Sequence, residues 1–336
     1  MNKKPSRFDR HGFFFSVKVL LGIILLAVAA YSGTKYLSNN TLFLGNIGSA
    51  NQSKLTIVMA GDIMLDRNIR RVAENQGYDS FFAAVAPLFH SADIAVANLE
   101  GPITSTSSKT LLPGNILTNS FSFTFAPETA AVLKRAGITA VSLANNHTDN
   151  FGLWGVNETK KRLAESGVQY FGDPSNNSGT EIILAQNGMN VAFVGYHAFQ
   201  GGFDRVLETV RKLSASKQVD FIIVMPHWGE EYSSVSSADL KSKARALVAA
   251  GANAVIGSHP HVIMDHEWLG DVPVFYSLGN LLFDQYFSPE VMKGNILSLE
   301  LAKKNGVTTL DHLSVYETHL DPHKGVLLDP VAKVEK

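Results

Sequence analysis

The amino-acid sequence predicts an α/β fold that mixes parallel and antiparallel strands. From residue 54 onward, short apolar runs typical of buried strands alternate with amphipathic stretches of helical period. Several strand-like runs are direct neighbours, and Asn187-Gly188 between two of them is a strong hairpin signal. A purely doubly wound fold is therefore not expected. No internal repeat is found, so one domain over 54–318 with a tail over 319–336 is the simplest interpretation.

The bounds of the individual elements are predicted from this pattern and from the glycine and proline residues that begin or end them. Gly167 and Gly251 end two helices, and Pro127 begins another at a position where its missing N–H costs nothing. The region 103–121 is rich in Ser, Thr, Asn and Gly, which predicts a surface loop. Predicted strands cover 55–60, 93–97, 138–143, 168–171, 181–186, 190–196, 220–225, 254–256, 272–278 and 295–301. Predicted helices cover 68–75, 80–89, 127–136, 153–166, 203–213 and 238–250.

Composition excludes several classes of protein. The 336 residues are 45% apolar and 18% charged with a formal net charge of -1, and no basic stripe is interleaved with aromatic residues. We therefore expect no nucleic-acid partner. The chain has no cysteine, which excludes disulfides, thiolate metal sites and a cysteine nucleophile. The length is sufficient for a full hydrophobic core.

The N-terminal segment predicts a membrane anchor. A basic stretch over 1–12 precedes an apolar run over 13–33, whose only charge is Lys18. As a helix this run would span roughly 31 Å, enough to cross a bilayer. The basic flank predicts a cytoplasmic N-terminus and a domain outside the cytoplasm, joined by a polar linker over 34–53. The alternative is a cleaved signal peptide and a secreted domain.

Metal-ligating side chains follow five of the predicted strands at the point where each strand ends. Each has an ordinary explanation when taken alone, such as a helix cap, a turn former or a core histidine. Because the carboxyl ends of strands in α/β sheets converge on one crevice, we expect the set to meet there. The set consists of Asp62, Glu100, Asn146 with His147, His227, and His259 with His261.

The donor types in this set predict a divalent metal site. Carboxylate and amide oxygens combined with imidazole nitrogens, without sulfur, favour Mn, Fe, Zn or Mg. Two neighbouring ions bridged by one carboxylate can clamp a phosphoryl or acyl oxygen and activate water. The spacing of His259-Pro-His261 places both imidazoles on one face of an extended segment. The sequence therefore predicts one or two ions.

Six motifs in order resemble those of the CapA (PgsA-like) capsule-synthesis family, a branch similar to the calcineurin-like metallophosphoesterases. They are Gly-Asp-Ile-Met-Leu-Asp-Arg at 61–67, Asn-Leu-Glu-Gly-Pro at 98–102, Leu-Ala-Asn-Asn-His at 143–147, Pro-His-Trp-Gly-Glu-Glu-Tyr at 226–232, Gly-Ser-His-Pro-His at 257–261 and Tyr-Ser-Leu-Gly-Asn at 276–280. The resemblance covers about 55–300. It implies a four-layer α/β/β/α sandwich and a role in making or exporting poly-γ-glutamate from a membrane-anchored position, together with capsule synthase membrane subunits.

The resemblance also implies roles for individual residues. Asp62 and His261 would bind a first ion, and Glu100 would bridge to a second ion. His147 would protonate a leaving oxygen or stabilise its charge. Arg67 and Asn145 are candidate substrate-binding residues, with a solvated helix-start arginine as the alternative for Arg67. The ligands implied for the second ion are Asn146, His227 and His259.

Two departures from the superfamily pattern weaken the catalytic prediction. The superfamily has a histidine two residues after the first aspartate, where this chain has Met64. The family often has an aspartate three residues after the histidine of the third motif, where this chain has Asn150. Three functions stay open on the sequence: a capsule-polymer factor with a metal site, an extracytoplasmic phosphoesterase or amide hydrolase on another substrate, and a non-catalytic scaffold with a structural metal.

Overall fold

The computed structural model describes residues 53–112, 115–116, 121–174 and 180–333. The predicted anchor or signal over 13–33, its basic flank and nearly all of the linker lie outside these residues. Among the described helices, none is both long and apolar enough to cross a membrane. The helices are α1 (Arg67–Gln76), α2 (Asp79–Phe82), α3 (Ala86–Ser91), α4 (Thr129–Arg135), α5 (Gly152–Glu165), α6 (Phe203–Ala215) and α7 (Ala238–Ala250), with a 3-10 turn at Ala198–Gln200.

The strands form two large sheets and one short hairpin. In chain order they are β1 (Ser53–Ile63), β2 (Ile94–Leu99), β3 (Leu111–Leu112), β4 (Asn115–Ile116), β5 (Ala140–Ser142), β6 (Gln169–Phe171), β7 (Glu181–Gln186), β8 (Met189–His197), β9 (Phe221–His227), β10 (Ala254–Ile256), β11 (His266–Leu269), β12 (Val272–Phe275), β13 (Asn280–Leu282), β14 (Lys293–Lys304), β15 (Val307–Asp321) and β16 (Gly325–Lys333).

Both large sheets are mixed, as the sequence predicts. The first sheet has the order β16-β15-β14-β1-β2-β5-β6, and β13 pairs with the end of β1. Its strands β1, β2, β5 and β6 are parallel, whereas β14, β15 and β16 are antiparallel. The second sheet has the order β11-β12-β10-β9-β8-β7, with a parallel centre and an antiparallel strand at each edge.

Side-chain alternation along the strands divides the interior into three cores. Ile57 of β1 and Phe193 of β8 lie in the core between the two sheets. Val58 points the other way, into a core shared with the helices that cover the first sheet. Val194 likewise packs against α6 and α7 on the outer face of the second sheet. The layers are therefore helices, sheet, sheet and helices, which confirms the four-layer α/β/β/α sandwich.

The C-terminal segment corrects the predicted domain boundary. Residues 319–333 do not form a tail, because β15 continues to Asp321 and β16 pairs with it in antiparallel register. Val326 is buried. The backbone of Gly325 packs closely against Phe81, and a Cβ atom on residue 325 would lie only 2.4 Å from the Cα atom of Phe81. This strand was not predicted because the polar turn at 322–324 has a composition typical of an exposed chain terminus.

Other differences are local. The predicted helix over 80–89 is interrupted between α2 and α3. The strands β3, β4, β11, β13 and β15 were not predicted. The hairpin at Asn187-Gly188 is confirmed, with β7 and β8 paired on either side of it. The carboxyl ends of β1, β2 and β5 in the first sheet and of β9 and β10 in the second face one another across the inter-sheet core, where the metal-ligating residues lie.

Candidate metal centre

The structure brings all six predicted metal ligands into one buried cluster. Asp62, Glu100 and Asn146 come from the ends of β1, β2 and β5 of the first sheet. The histidines come from the ends of β9 and β10 of the second sheet. The Nε2 atom of His227 lies 2.8 Å from the Oδ1 atom of Asn146, so the two sheets meet directly at this point. The His259 N–H also donates to Asp62 Oδ2 at 3.1 Å, although the two residues are 197 positions apart in the chain.

One half of the cluster contains two carboxylates and an imidazole. The ligand atoms of Asp62, Glu100 and His261 all lie within 4.8 Å of one another, and all three residues are buried. His261 Nδ1 is 3.6 Å from Asp62 Oδ2, and its Nε2 is 3.6 Å from Glu100 Oε1. This spacing leaves room for a cation between the three side chains.

The other half contains an amide oxygen and two imidazole nitrogens. His227 Nε2 is 2.8 Å from Asn146 Oδ1 and 3.1 Å from His259 Nδ1. Ligand atoms bound at about 2.0–2.1 Å to one ion lie about 3 Å apart. The observed separations therefore match those of three ligands that share an ion.

Glu100 provides the strongest sign that a cation belongs in the cluster. Both carboxylate oxygens of Glu100 are completely buried, and among the described residues neither has a hydrogen-bond donor. A buried carboxylate without a donor is costly unless it is protonated or binds a cation. The donor chemistry and this unsatisfied carboxylate fit a divalent metal site.

Burial shifts the pKa values of the cluster residues in directions that favour cation binding. Burial lowers the pKa of His259 to about 4 and that of His261 to about 3. Burial also raises the pKa of Asp62, and burial together with the charge of Asp62 raises the pKa of Glu100. Neutral imidazoles are thus ready as ligands at neutral pH, whereas the carboxylates need a nearby positive charge to ionise easily.

Two residues of the quoted motifs hold the first carboxylate and a histidine, although the sequence analysis gave them no role. The Asn98 amide donates to Asp62 Oδ1 at 2.8 Å. Ser258 Oγ lies 3.0 Å from His227 Nδ1, which leaves His227 Nε2 directed at the cluster. Such partners orient metal ligands and fix the imidazole tautomer. Their positions directly beside ligands in the motifs were the available signal.

Asn280 sets the tautomer of His261. Its amide nitrogen donates to the carbonyl of Val291 at 2.8 Å, so its Oδ1 faces His261 Nδ1 at 3.0 Å. His261 therefore donates from Nδ1, and the lone pair on Nε2 faces Glu100. The Gly279-Asn280 pair predicts a turn, whereas Asn280 lies in β13 opposite Asp62 in the structure.

The backbone around the ligands is strained and closely packed. His259 and His261 have φ values of 101° and 59°, a region that residues with a Cβ rarely adopt. Such strain is typical of functional sites. At Gly61, a Cβ would lie 1.9 Å from the Gly279 carbonyl oxygen, so only glycine allows this approach beside Asp62.

Met64 does not provide a ligand to the cluster. Its side chain is buried in the core beneath the helices, and its sulfur accepts the Asp66 N–H at 3.1 Å. Position 64, where the resemblance implied a histidine, is therefore part of the hydrophobic core in this chain.

His147 lies at the edge of the cluster in an orientation suited to proton transfer. Its Nε2 is 3.9 Å from Glu100 Oε1, and its Nδ1 is 3.2 Å from Asn150 Oδ1. The same Asn150 oxygen accepts the Phe123 N–H, so His147 Nδ1 must be the donor. A second proton would therefore reside on Nε2, the nitrogen that faces the cluster. Burial lowers the pKa of His147.

Arg67 is not a free substrate-binding residue, and it is not a solvated one. Its side chain is 8% exposed, and its guanidinium donates to Asp284, whose side chain is 1% exposed. The guanidinium also lies 5.0 Å from the Phe123 ring centroid and 5.6 Å from that of Phe283. This buried pairing is incompatible with a flexible substrate contact, so the role predicted for Arg67 is corrected to a structural one.

Asn145 likewise shapes the loop instead of facing a substrate. Its side chain is fully buried and donates to Asn98 Oδ1 at 3.0 Å and to the Leu99 carbonyl at 2.8 Å. Its oxygen accepts the backbone N–H groups of His147 and Thr148. Every polar atom of the amide has a partner within the protein, so the predicted substrate role is wrong.

Comparisons with known proteins identify the family of this chain. A profile of the family described as "Bacterial capsule synthesis protein PGA_cap" matches residues 56–285. The chain is 31% identical over 277 residues to the capsule biosynthesis protein CapA of Bacillus anthracis, covering 77% of this chain and 66% of that protein. It is also 31% identical over 249 residues to the PGA biosynthesis protein CapA of Bacillus subtilis (strain 168), covering 69% and 64%. The matches span slightly less than two thirds of either relative.

Among solved structures, a hypothetical protein from Thermus thermophilus superposes with a TM-score of 0.49 at 18% identity, covering 82% of this chain and all of that one. The calcineurin-like phosphoesterase YfkN from Bacillus subtilis superposes with a TM-score of 0.48 at 16% identity, covering 79% and 90%. Neither superposition reaches a TM-score of 0.5, so neither bears on function. The profile match covers more than half of the chain and includes all six ligand positions. The chain therefore belongs to the bacterial capsule synthesis protein family PGA_cap.

Proposed function

We propose that this chain acts in the synthesis or export of a capsule polymer, and that its folded domain works with a divalent metal centre. The polymer is poly-γ-glutamate or another anionic polymer of that class. The observation that carries the proposal is the cluster itself. Its six donor residues follow five strand ends, include the unsatisfied Glu100 carboxylate, and lie within the PGA_cap family match. The name of the Bacillus subtilis relative supports the choice of polymer.

The proposed place of action is the outer side of the cell membrane. The apolar segment 13–33 with its basic flank would anchor the chain, with the domain outside the cytoplasm. Capsule synthase membrane subunits would be its partners there. Secretion after signal cleavage is the alternative, and N-terminal sequencing of the mature protein distinguishes the two.

The two halves of the cluster would hold one ion each. Asp62, Glu100 and His261 would hold the first ion, since the Glu100 carboxylate lies 3.6 Å from His261 Nε2. The second ion would be held by the remaining trio, Asn146, His227 and His259. When bound, such ions polarise a phosphoryl or acyl oxygen and lower the pKa of a coordinated water. Mn, Fe, Zn and Mg suit this donor set.

A hydrolytic role is the second candidate, and the geometry of His147 favours it. With Nδ1 held by Asn150, the only nitrogen of His147 available to a substrate is Nε2, beside Glu100. A protonated Nε2 could donate to a leaving oxygen or nitrogen at the mouth of the cluster. Suitable substrates are phosphoesters and γ-glutamyl amides. A centre that binds metal without hydrolysing either class would point to the scaffold alternative.

The capsule role is tested by complementation. In a poly-γ-glutamate-producing bacterium that lacks its own CapA relative, we expect expression of this chain to restore the secreted polymer. His259→Ala should fail to restore it, because one ligand of the second trio is removed. As a matched control, His312→Ala changes an exposed histidine on β15 and should restore polymer normally. Normal levels of polymer with His259→Ala would contradict a metal-dependent role.

A further inference from the structure

Glu231 lies against two of the metal-ligating histidines, although neither the sequence motifs nor the family match gives it a role. An oxygen of its carboxylate and one nitrogen each of His259 and His261 all lie within 4.8 Å of one another. The two histidines are buried, whereas Glu231 is exposed. Glu231 is thus the solvent-exposed member of this group.

The loop that carries Glu231 is fixed on both sides of it. The Trp228 N–H donates to the Ser258 carbonyl at 3.2 Å, and the Tyr232 N–H donates to the Pro260 carbonyl at 2.8 Å. Trp228 is also completely buried, and its Nε1 donates to the Tyr276 carbonyl at 2.9 Å. These bonds tie the Glu231 loop directly to the segment that contains the two histidines. The position of the Glu231 backbone is therefore part of the site's architecture.

The charge of Glu231 lies near the two buried carboxylates of the cluster. Among the described residues, no lysine or arginine forms an ion pair with it, whereas its charge adds to that of Asp62 in raising the pKa of Glu100. A third carboxylate beside two buried ones is unfavourable in the absence of a cation. A divalent ion beside His261 would reverse this repulsion.

We propose that Glu231 is a further metal ligand, which closes the centre from the solvent side and supplies a donor in place of the imidazole missing at Met64. This inference rests on the metal centre proposed above. The ion is a divalent cation that accepts mixed oxygen and nitrogen ligands, such as Mn²⁺ or Zn²⁺. Because Glu231 is the exposed member of the set, it is also the ligand that an incoming anionic substrate would meet first.

The test compares Mn²⁺ binding to the full chain and its variants, measured from free Mn²⁺ by electron paramagnetic resonance and checked by elemental analysis. We expect Glu231→Gln to weaken binding of at least one ion by tenfold or more, since even residues that only orient ligands change affinity by about 10–100-fold. Glu230→Gln removes the same charge one position away, outside the cluster, and should bind within about twofold of the wild type. Circular dichroism shows whether each variant is folded.

A further variant distinguishes direct coordination of the ion by residue 231 from a long-range effect of its negative charge. Glu231→His removes the negative charge but offers a nitrogen donor, so it should recover most of the affinity that Glu231→Gln loses. Equal Mn²⁺ affinity in Glu231→Gln and the wild type would overturn the inference while leaving the metal centre intact. Equal losses in Glu231→Gln and Glu231→His would also overturn it, because they would indicate a charge effect. A wild-type chain that binds neither Mn²⁺ nor Zn²⁺ would overturn both this inference and the proposed metal centre.

Discussion

The Nε2 atom of His227 lies 3.1 Å from the Nδ1 atom of His259, and both rings are buried. The two nitrogens belong to residues at the ends of strands β9 and β10 of the second sheet, and the Asn146 oxygen from the first sheet lies 2.8 Å from the same His227 atom. Burial and the neighbouring imidazoles lower the pKa of His227, so mutual repulsion disfavours protonation of the group. Separations of about 3 Å between such donor atoms are those of ligands that share a metal ion.

Removal of the Glu100 charge should increase the stability of the metal-free protein and abolish the stabilisation by bound metal. Without metal, Glu100→Gln should raise the free energy of unfolding at pH 7 by about 1–3 kcal/mol, because a buried carboxylate without a donor is replaced by a neutral amide. With Mn²⁺, the variant should lack the stabilisation that the wild type gains. Urea unfolding with chelator and with Mn²⁺ measures both effects.

The sign of the pH dependence provides a check on this prediction. Burial raises the pKa of Glu100 in the folded state, so its contribution to stability is present below about pH 4 and is lost as the pH rises toward neutrality. The advantage of Glu100→Gln without metal should therefore grow with pH. The exposed Glu74→Gln serves as the control and should show no such trend. A variant that is less stable than the wild type in chelator would contradict the proposed state of Glu100.

Asn150→Asp should raise the pKa of His147. The side chain at position 150 accepts from His147 Nδ1 at 3.2 Å, and an anionic acceptor there stabilises the imidazolium. Such a charge pair raises a histidine pKa by about 1–3 units. A titration of His147 followed by NMR in the metal-free chain gives the value directly, with Asn187→Asp on the distant hairpin as control. An unchanged or lowered pKa would show that Asn150 does not orient this ring.

Loss of the Asp284 charge should destabilise the domain severely. Asp284→Asn leaves the guanidinium of Arg67 buried without its counter-charge, which costs about 3–5 kcal/mol. The ion pair between Arg135 and Asp79 is more than half exposed, so Asp79→Asn should cost at most about 1 kcal/mol. Urea unfolding of the two variants makes the comparison. Equal costs would contradict the structural role assigned to Arg67.

Met64→Leu should leave the metal content unchanged. The Met64 side chain packs in the helix-side core, and a substitution that nearly conserves its volume should cost less than about 1.5 kcal/mol. Elemental analysis of the purified variant checks the first point and thermal unfolding checks the second. The loss of an ion in this variant would mean that the sulfur turns toward the cluster and acts as a ligand.

The residue pattern was sufficient to predict a mixed α/β fold and the ligand set, whereas the four-layer sandwich was implied by the family resemblance. Side-chain alternation in buried strands and the polar residue after each strand are both local signals, and convergence at the strand ends follows from α/β topology. Asp62, Glu100 and His227 could therefore be identified from the sequence before their partners were known.

The roles of Arg67, Asn145 and Glu231 could not be predicted in this way, because each depends on a contact distant in sequence. Arg67 is paired with Asp284, 217 positions away, and no periodicity shows that its side chain is buried. The side-chain amide of Asn145 donates to Asn98 and Leu99 of β2, and its oxygen accepts N–H groups of its own loop. The strand β16 was missed because it is defined by its antiparallel pairing with β15, which its amino-acid composition does not reveal.

Metal content is the most direct test of whether this chain holds divalent ions in the cluster between its sheets. Elemental analysis of the purified chain, after reconstitution with Mn, Zn and Fe, measures it in the wild type and in His259→Ala. We expect close to two ions per chain in the wild type and a clear reduction in the variant, because His259 belongs to the trio around His227. A wild-type chain that retains no metal after reconstitution would contradict the proposed metal centre.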